Sequence, residues 1–253
     1  MSDVRKEIEL QQSLVGKRIR RYSFDFAQYY HQWYNALILG LLAPAPGLTV
    51  LDCGCGTGIL LPQLEPCYRR VVGLDFSTVH LLEARALAGR ASLVAGDIAR
   101  LPLAAQSFDH VVCRGVLHRL PDVRAAFRGL FGILKQGGDL VISEPIADSR
   151  LICLFKSLIN CIPARSYKSK ELAYTTKDWM QMAQAAGFRI ERWINLGYLA
   201  LPLLGFPDQS HVIRWIPLRM PLARLLVRLD SIIADIPSIK RQSWQAVFHF
   251  RKP

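Results

Sequence analysis

Apolar positions along the chain follow two periods, and the points where the period changes mark its elements. Val4, Ile8, Val15 and Ile19 recur at helical spacing and predict a helix over 4–21. Lys17, Arg18, Arg20 and Arg21 close it, at the end where cations complement the helix dipole. A second helix is expected over 25–42, with Phe26, Tyr29, Tyr30, Trp33 and Tyr34 on it, until APAPG stops it. The pattern then shortens. VLDCGCGTG, 50–58, is an apolar run that ends in an acid and in Gly54, Gly56 and Gly58, which reads as a buried strand turning sharply towards a helix. Strand and helix alternate from there: strand 70–75, helix 78–88, strand 91–95, strand 107–112, helix 122–135 and strand 139–144. That alternation predicts an α/β fold, a doubly wound and mostly parallel sheet with helices on both faces.

The later part departs from simple alternation. A capped helix over 175–188 should end at Gly187, a sixth strand should follow in FRIERWINL, and WQAVFHFRK, 244–252, reads as the last strand. Roughly 45 residues separate those two strands, far beyond a hairpin of 2 to 5. Within them, 221–236 reads as a helix with Arg224, Arg228, Ser231 and Asp235 on one narrow face and apolar residues elsewhere. GYLALPLLGF before it and RLICLFKSLINCIP at 150–163 are almost wholly apolar. The division expected is a helical cap segment over 1–46, a core over 47–196 plus 244–253, and cap insertions at 146–174 and 197–243. Packing as a lid over the sheet is the plain reading of the insertions; a greasy substrate channel or a membrane-surface contact, with the arginines towards lipid phosphates, is the sharper one.

Composition narrows this only a little. At 253 residues and 51% hydrophobic the chain can bury a full core. A net charge of +12 is compatible with nucleic acid, an anionic membrane surface or an acidic substrate, without choosing among them. The start MSDVRKEIEL holds no apolar signal core, and no run reaches the roughly 18 apolar residues of a membrane span, so the expected location is cytoplasmic, with the membrane surface as an extension. Six cysteines form no CxxC pair; Cys53 and Cys55 sit within the glycine loop and are expected as reduced thiols, with no metal site.

The glycine loop carries the candidate chemistry. Without a β-carbon its backbone can take positive φ and approach a ligand to contact. The spacing is G-x-G-x-G where a dinucleotide fold uses G-x-G-x-x-G, and Asp52 closes the strand before the first glycine. A carboxylate there repels pyrophosphate and suits an ammonium group.

Here the sequence resembles the first motif of class I S-adenosylmethionine-dependent methyltransferases. VVGLDFS at 71–77, GDIARLPLAAQSFDHVVCRGVLHRL at 96–120 and LKQGGDLVISEP at 134–145 resemble that family's later motifs in order. The resemblance implies a Rossmann-like sheet of seven strands, with the last strand inserted antiparallel beside the sixth. It implies S-adenosyl-L-methionine as cofactor and S-adenosyl-L-homocysteine as product, held by Asp52, Cys53, Gly54, Gly56 and Gly58. Asp75 would take both ribose hydroxyls with Phe76 and Ser77 beside it, and Asp97 would meet the adenine amine with Ile98. Arg114 falls at the same strand ends. Segments ahead of the first strand often close over the cofactor in this family, which makes Tyr22 and Tyr29 candidates for cation–π contact with the sulfonium. The alternative for that aromatic stripe is plain core. His118 and Glu144 are candidates for catalysis near the transferred methyl; the alternatives are a structural histidine and a carboxylate that binds backbone amides.

Three functions compete: methyl transfer to oxygen, carbon or nitrogen of a hydrophobic small-molecule or lipid-like acceptor, methylation of RNA at ribose, and a non-catalytic binding module on the same fold. The first is expected. Enzymes that methylate base amines resemble one another in a [DNS]-P-P-[FYW] motif, and CRGVLH stands in its place. The Pro66-Cys67 pair follows the glycine-loop helix, the wrong place for a pyrimidine nucleophile. Nucleic acid is therefore not the expected partner. The binding module is disfavoured by the intact glycine loop and its three acids.

Overall fold

A computed structural model describes residues 23–149, 152, 174–205, 215–236, 239–240 and 242–253. The predicted helix over 4–21, Tyr22 and most of the first insertion lie outside the described residues. The elements are α1 (Asp25–Leu42), β1 (Thr49–Cys53), α2 (Leu61–Leu64), β2 (Arg70–Asp75), α3 (Thr78–Arg85), β3 (Ser92–Ala95), β4 (Phe108–Arg114), α4 (Val123–Ile133), β5 (Leu134–Pro145), α5 (Thr176–Ala185), β6 (Arg189–Leu196), α6 (Arg219–Ala234) and β7 (Gln245–Arg251).

Seven strands form one sheet in the order β3-β2-β1-β4-β5-β7-β6. β1 runs parallel to β2 and β4, and β4 parallel to β5, whereas β7 is antiparallel to both β5 and β6. Side-chain alternation then builds two cores. Leu51, Val111, Leu140, Ile142, Phe248 and Phe250 point to one face and pack under α4 and α5 with Phe127 and Trp179. Their neighbours Val50, Val112, Val141 and Val247 point to the other, against Ile38, Leu61, Leu64 and Tyr68. All five residues of β1 are buried, as a strand covered on both faces requires.

Local chemistry sets the helix starts. Thr175 and Asp178 form a capping box, each side chain accepting the other's backbone N–H, and Gly187 at φ 101° closes the turn after α5. Ser77 caps α3 through the His80 amide, and Asp122 caps α4 through that of Ala125.

A third cluster joins the ends of the chain. Phe26, Ala27 and Tyr30 from the first half of α1 pack with Ala200, Leu204, Ala223, Leu226 and Val227 from the insertion between β6 and β7. The second half of α1 belongs to the core through Ile38 and Leu42. α1 therefore joins this third cluster to the sheet. Asp230 locks the insertion to itself: its buried carboxylate accepts the backbone N–H groups of Tyr198, Leu199 and Ala200 at 2.7–3.2 Å. Burial pushes this acid up, and the amides hold it down. The sequence put the polar interest of this helix in Arg224, Arg228, Ser231 and Asp235, all solvent-exposed. Asp230, on the buried face of the same helix, was not among them.

Candidate active site

The acids expected to converge sit at the carboxyl ends of adjacent parallel strands, where an α/β sheet leaves room for a ligand. Asp52 pairs in register with Gly73 on β2 and Val112 on β4, and Asp75 ends β2. Between them runs the glycine loop, with Gly54, Gly56 and Gly58 all at positive φ. The three glycines serve different ends. A β-carbon on Gly54 would strike Val116 at 2.7 Å, and one on Gly58 would strike Ala84 at 2.9 Å, so these two let the protein close on itself. A β-carbon on Gly56 would meet nothing within 4 Å. The open side of the loop is at Gly56.

Asp75 is fixed by that loop and by the helix after it. One carboxylate oxygen accepts the Gly56 N–H and the other the Ser77 N–H, each at 2.9 Å. Each oxygen keeps a lone pair, the geometry needed to accept from two vicinal hydroxyls. His80 Nδ1 lies 3.5 Å from the carboxylate, a buried neighbour that sequence reading missed. It falls on the first turn of α3, three residues past the Ser77 cap, and that spacing was the available signal. Cys53 is fully buried in the core, and Cys55 is buried beside Gly73, so neither thiol reaches outwards. Phe76 is partly exposed, Ile98 is buried, and Asp97 is exposed with one oxygen on the Ala99 amide.

Burial pushes the Asp52 carboxyl up to about 7; Arg114 draws it down and Asp75 raises it further. A buried acid so placed favours a cation beside it, which fits an ammonium-bearing ligand. The consequence is a proton linkage. A bound cation stabilises the ionised carboxylate, so affinity should fall as pH drops through about 7, by up to roughly tenfold per pH unit, and binding near neutrality should release a proton. Calorimetric titration of S-adenosylmethionine in two buffers of different ionisation enthalpy measures this. Identical apparent enthalpies and a flat pH profile from 6 to 8 would contradict the assignment.

α1 covers the strand ends. Arg114 donates to Asn35 Oδ1 at 2.5 Å, meets His31 Nδ1 at 2.8 Å and stacks over Tyr34 at 4.9 Å. Gln245 Nε2 donates to the Tyr34 hydroxyl at 2.6 Å and to Ser143 Oγ at 2.8 Å, and that hydroxyl bonds to Ser143 as well. Tyr29, by contrast, packs into the cluster shared with the insertion. The aromatic ring presented to the strand ends is Tyr34. The helical stripe contained it, but only the sheet position of Arg114 and Ser143 distinguishes it from Tyr29.

His118 and Glu144 do meet. His118 Nδ1 lies 2.6 Å from Glu144 Oε2, while Oε1 accepts the N–H groups of Val116 and Leu117 at 3.0 and 2.8 Å. Glu144 is fully buried and holds the turn after β4. With Nδ1–H donated to it, His118 keeps a lone pair on Nε2, which accepts from Arg119 Nε at 3.2 Å. Among the described residues no group of three or more His, Cys, Asp or Glu side chains could hold a metal ion.

The methyltransferase domain model matches residues 51–142, the span from β1 through most of β5. A demethylmenaquinone methyltransferase of Beutenbergia cavernae is 31% identical over 177 residues, covering 66% of this chain and 73% of its own length. The chain belongs to the class I S-adenosylmethionine-dependent methyltransferases. A demethylmenaquinone methyltransferase of Mycolicibacterium paratuberculosis is 32% identical over 169 residues, 67% of this chain, and the match spans 65% of that relative. Among solved structures, magnesium protoporphyrin IX methyltransferase from Synechocystis, with bound S-adenosyl-L-homocysteine, has the same fold at a TM-score of 0.62 and 17% identity, covering 94% of each chain. The doubly wound, mostly parallel sheet expected from the sequence is therefore the methyltransferase sheet, with its antiparallel seventh strand.

Proposed function

We propose that the protein transfers a methyl group from S-adenosylmethionine to a hydrophobic small-molecule acceptor of the prenylated-quinol kind. The observation that carries this reading is the open face of the glycine loop at Gly56, flanked by Asp52 and Asp75, in a chain whose insertion packs with α1 around an apolar cluster. Similarity to demethylmenaquinone methyltransferases supports the acceptor class. When bound, S-adenosylmethionine supplies an electrophilic methyl on a sulfonium. The chain's own part is to bind, orient and exclude water. Asp75 accepts from the ribose hydroxyls, Asp52 balances the ammonium, and Arg114 suits the carboxylate of the same amino-acid group. Positioning then contributes most of the rate. His118, oriented by Glu144, is the candidate to take a proton at Nε2, which requires Arg119 to turn aside. The reading includes contact with a membrane surface, where such an acceptor resides.

The test is methyl transfer from labelled S-adenosylmethionine to a detergent-dispersed demethylated naphthoquinol, followed by solvent extraction. Label in the organic phase is expected. Salt-sensitive label on added total RNA, with none in the organic phase, would replace this reading by a nucleic-acid one. Asp75→Asn should bind the cofactor about 10- to 150-fold more weakly, the equivalent of about 1.5–3 kcal/mol for a charge-assisted bond. Unchanged affinity would misplace the ribose site.

A further inference from the structure

α6 has a second apolar face. Its inner face, Ala223, Leu226, Val227 and Asp230, is buried against α1 and the 198–205 turn. Leu218, Leu225 and Ile232 recur every seven residues on a different side, and they are 68%, 51% and 62% exposed. At 100° per residue these three, Leu218 being the N-cap, lie within about 40° of one another. The stripe runs the full length of the helix, about 24 Å for its 16 residues. Such a line is not needed to fold the cap, because the helix already buries a separate face. A solvated helix would place polar residues there.

The residues beside the stripe say what it meets. Arg224 and Arg228 are exposed and follow it along one flank, with Asp235 as the acid at its end. Trp215, 76% exposed, stands just ahead of the helix. An apolar line flanked by arginines, with an exposed tryptophan at one end and +12 on the whole chain, matches the cross-section of a helix lying in the headgroup layer of an anionic bilayer. The apolar side chains enter the acyl boundary while the guanidinium groups stay at phosphate depth. A second copy centred on Leu225 by a two-fold axis would set Arg224 against Arg224, which disfavours that occupant. No described helix is long and apolar enough to cross a membrane, so the contact is one of lying on the surface.

We propose that the outer face of α6, through Leu218, Leu225 and Ile232 flanked by Arg224 and Arg228, docks the enzyme on anionic phospholipid. This rests on the membrane contact in the proposed function and gives it a place: the cap would face the bilayer from which the acceptor comes. Because the inner face of the same helix packs on α1, docking would bear on the element that covers Arg114 and Ser143.

The test is co-sedimentation of the full chain with vesicles of phosphatidylcholine alone and with about one third phosphatidylglycerol. Binding to the anionic vesicles that weakens with salt is expected. Leu225→Glu with Ile232→Glu should lower partitioning at least about tenfold, and Arg224→Glu with Arg228→Glu should remove the preference for phosphatidylglycerol. Both variants should retain wild-type affinity for S-adenosylmethionine, which shows that they fold. No sedimentation of the wild type, or equal partitioning of wild type and variants, overturns the proposal. So does a concentration-dependent dimer that Leu225→Glu dissociates, which would give this face to a second copy. Methyl transfer in detergent uses no vesicle, so failure there and failure here are separately visible.

Discussion

Gly56→Ala is expected to yield a folded protein that has lost most of its affinity for S-adenosylmethionine. Two facts about this position combine. Its φ is 53°, a left-handed value that alanine can adopt at a cost of about 1–2 kcal/mol. Its added β-carbon would meet no protein atom within 4 Å, so the fold has room for it. The room lies on the open side of the loop, beside the amide that orients Asp75. A methyl group there occupies space that a ligand must use to reach the loop backbone. Loss of about 100-fold in affinity, by calorimetric titration, is expected with a fall in Tm of only a few degrees. Gly58→Ala is the contrasting variant. Its β-carbon would lie 2.9 Å from Ala84 Cβ and 3.1 Å from its Cα, so stability should suffer first and binding only through it. If the two variants lost stability and affinity in the same proportion, Gly56 would not mark the ligand side of the loop.

Asp230→Ala should be the most destabilising single change in the cap. Three consecutive amides, Tyr198 to Ala200, share this one carboxylate, and it is 1% exposed. Removing it leaves buried N–H groups with no acceptor, each worth about 1–3 kcal/mol, so a total loss of at least about 3 kcal/mol is expected. Asp230→Asn keeps one acceptor and should cost less. Because α6 packs against Phe26, Ala27 and Tyr30, the damage should spread to α1 and thence to its hold on Arg114. Hydrogen exchange is the measurement: amides of α1 and α6 should lose protection together while those of β1 and β4 keep theirs. Protection lost in α6 alone would show that the two helices do not act as one cap. The same contacts mean that cutting out 197–243 would strip the cover from α1, so point changes test the lid more cleanly than a deletion.

How much was readable beforehand depends on the range of the interaction. The helix over 25–42 and the strand over 70–75 are observed at their expected bounds, and the capped helix starts within a residue of its expected start but ends at Ala185, short of Gly187. Each is set by periodicity and by caps a few residues away. The acids also declared themselves, because a strand that ends in Asp just before glycines places that acid at the sheet's carboxyl edge whatever surrounds it. Fold class and the position of the glycine loop were thus written locally. What the sequence could not decide was which side chains face one another across that edge. Tyr34 rather than Tyr29 meets Arg114, although both lie on one helix, because the choice depends on the angle at which α1 crosses β4 and β5. Glu144 turned inwards to hold the Val116–Leu117 turn and His118 through bonds that span 26 to 28 residues. Asp230 found its three amides 30 to 32 residues away. Burial makes each of these contacts obligatory, since an unpaired charge or amide in the interior costs more than folding can spare. Yet the partner is chosen by how helices and sheet pack, and that geometry belongs to the tertiary structure alone.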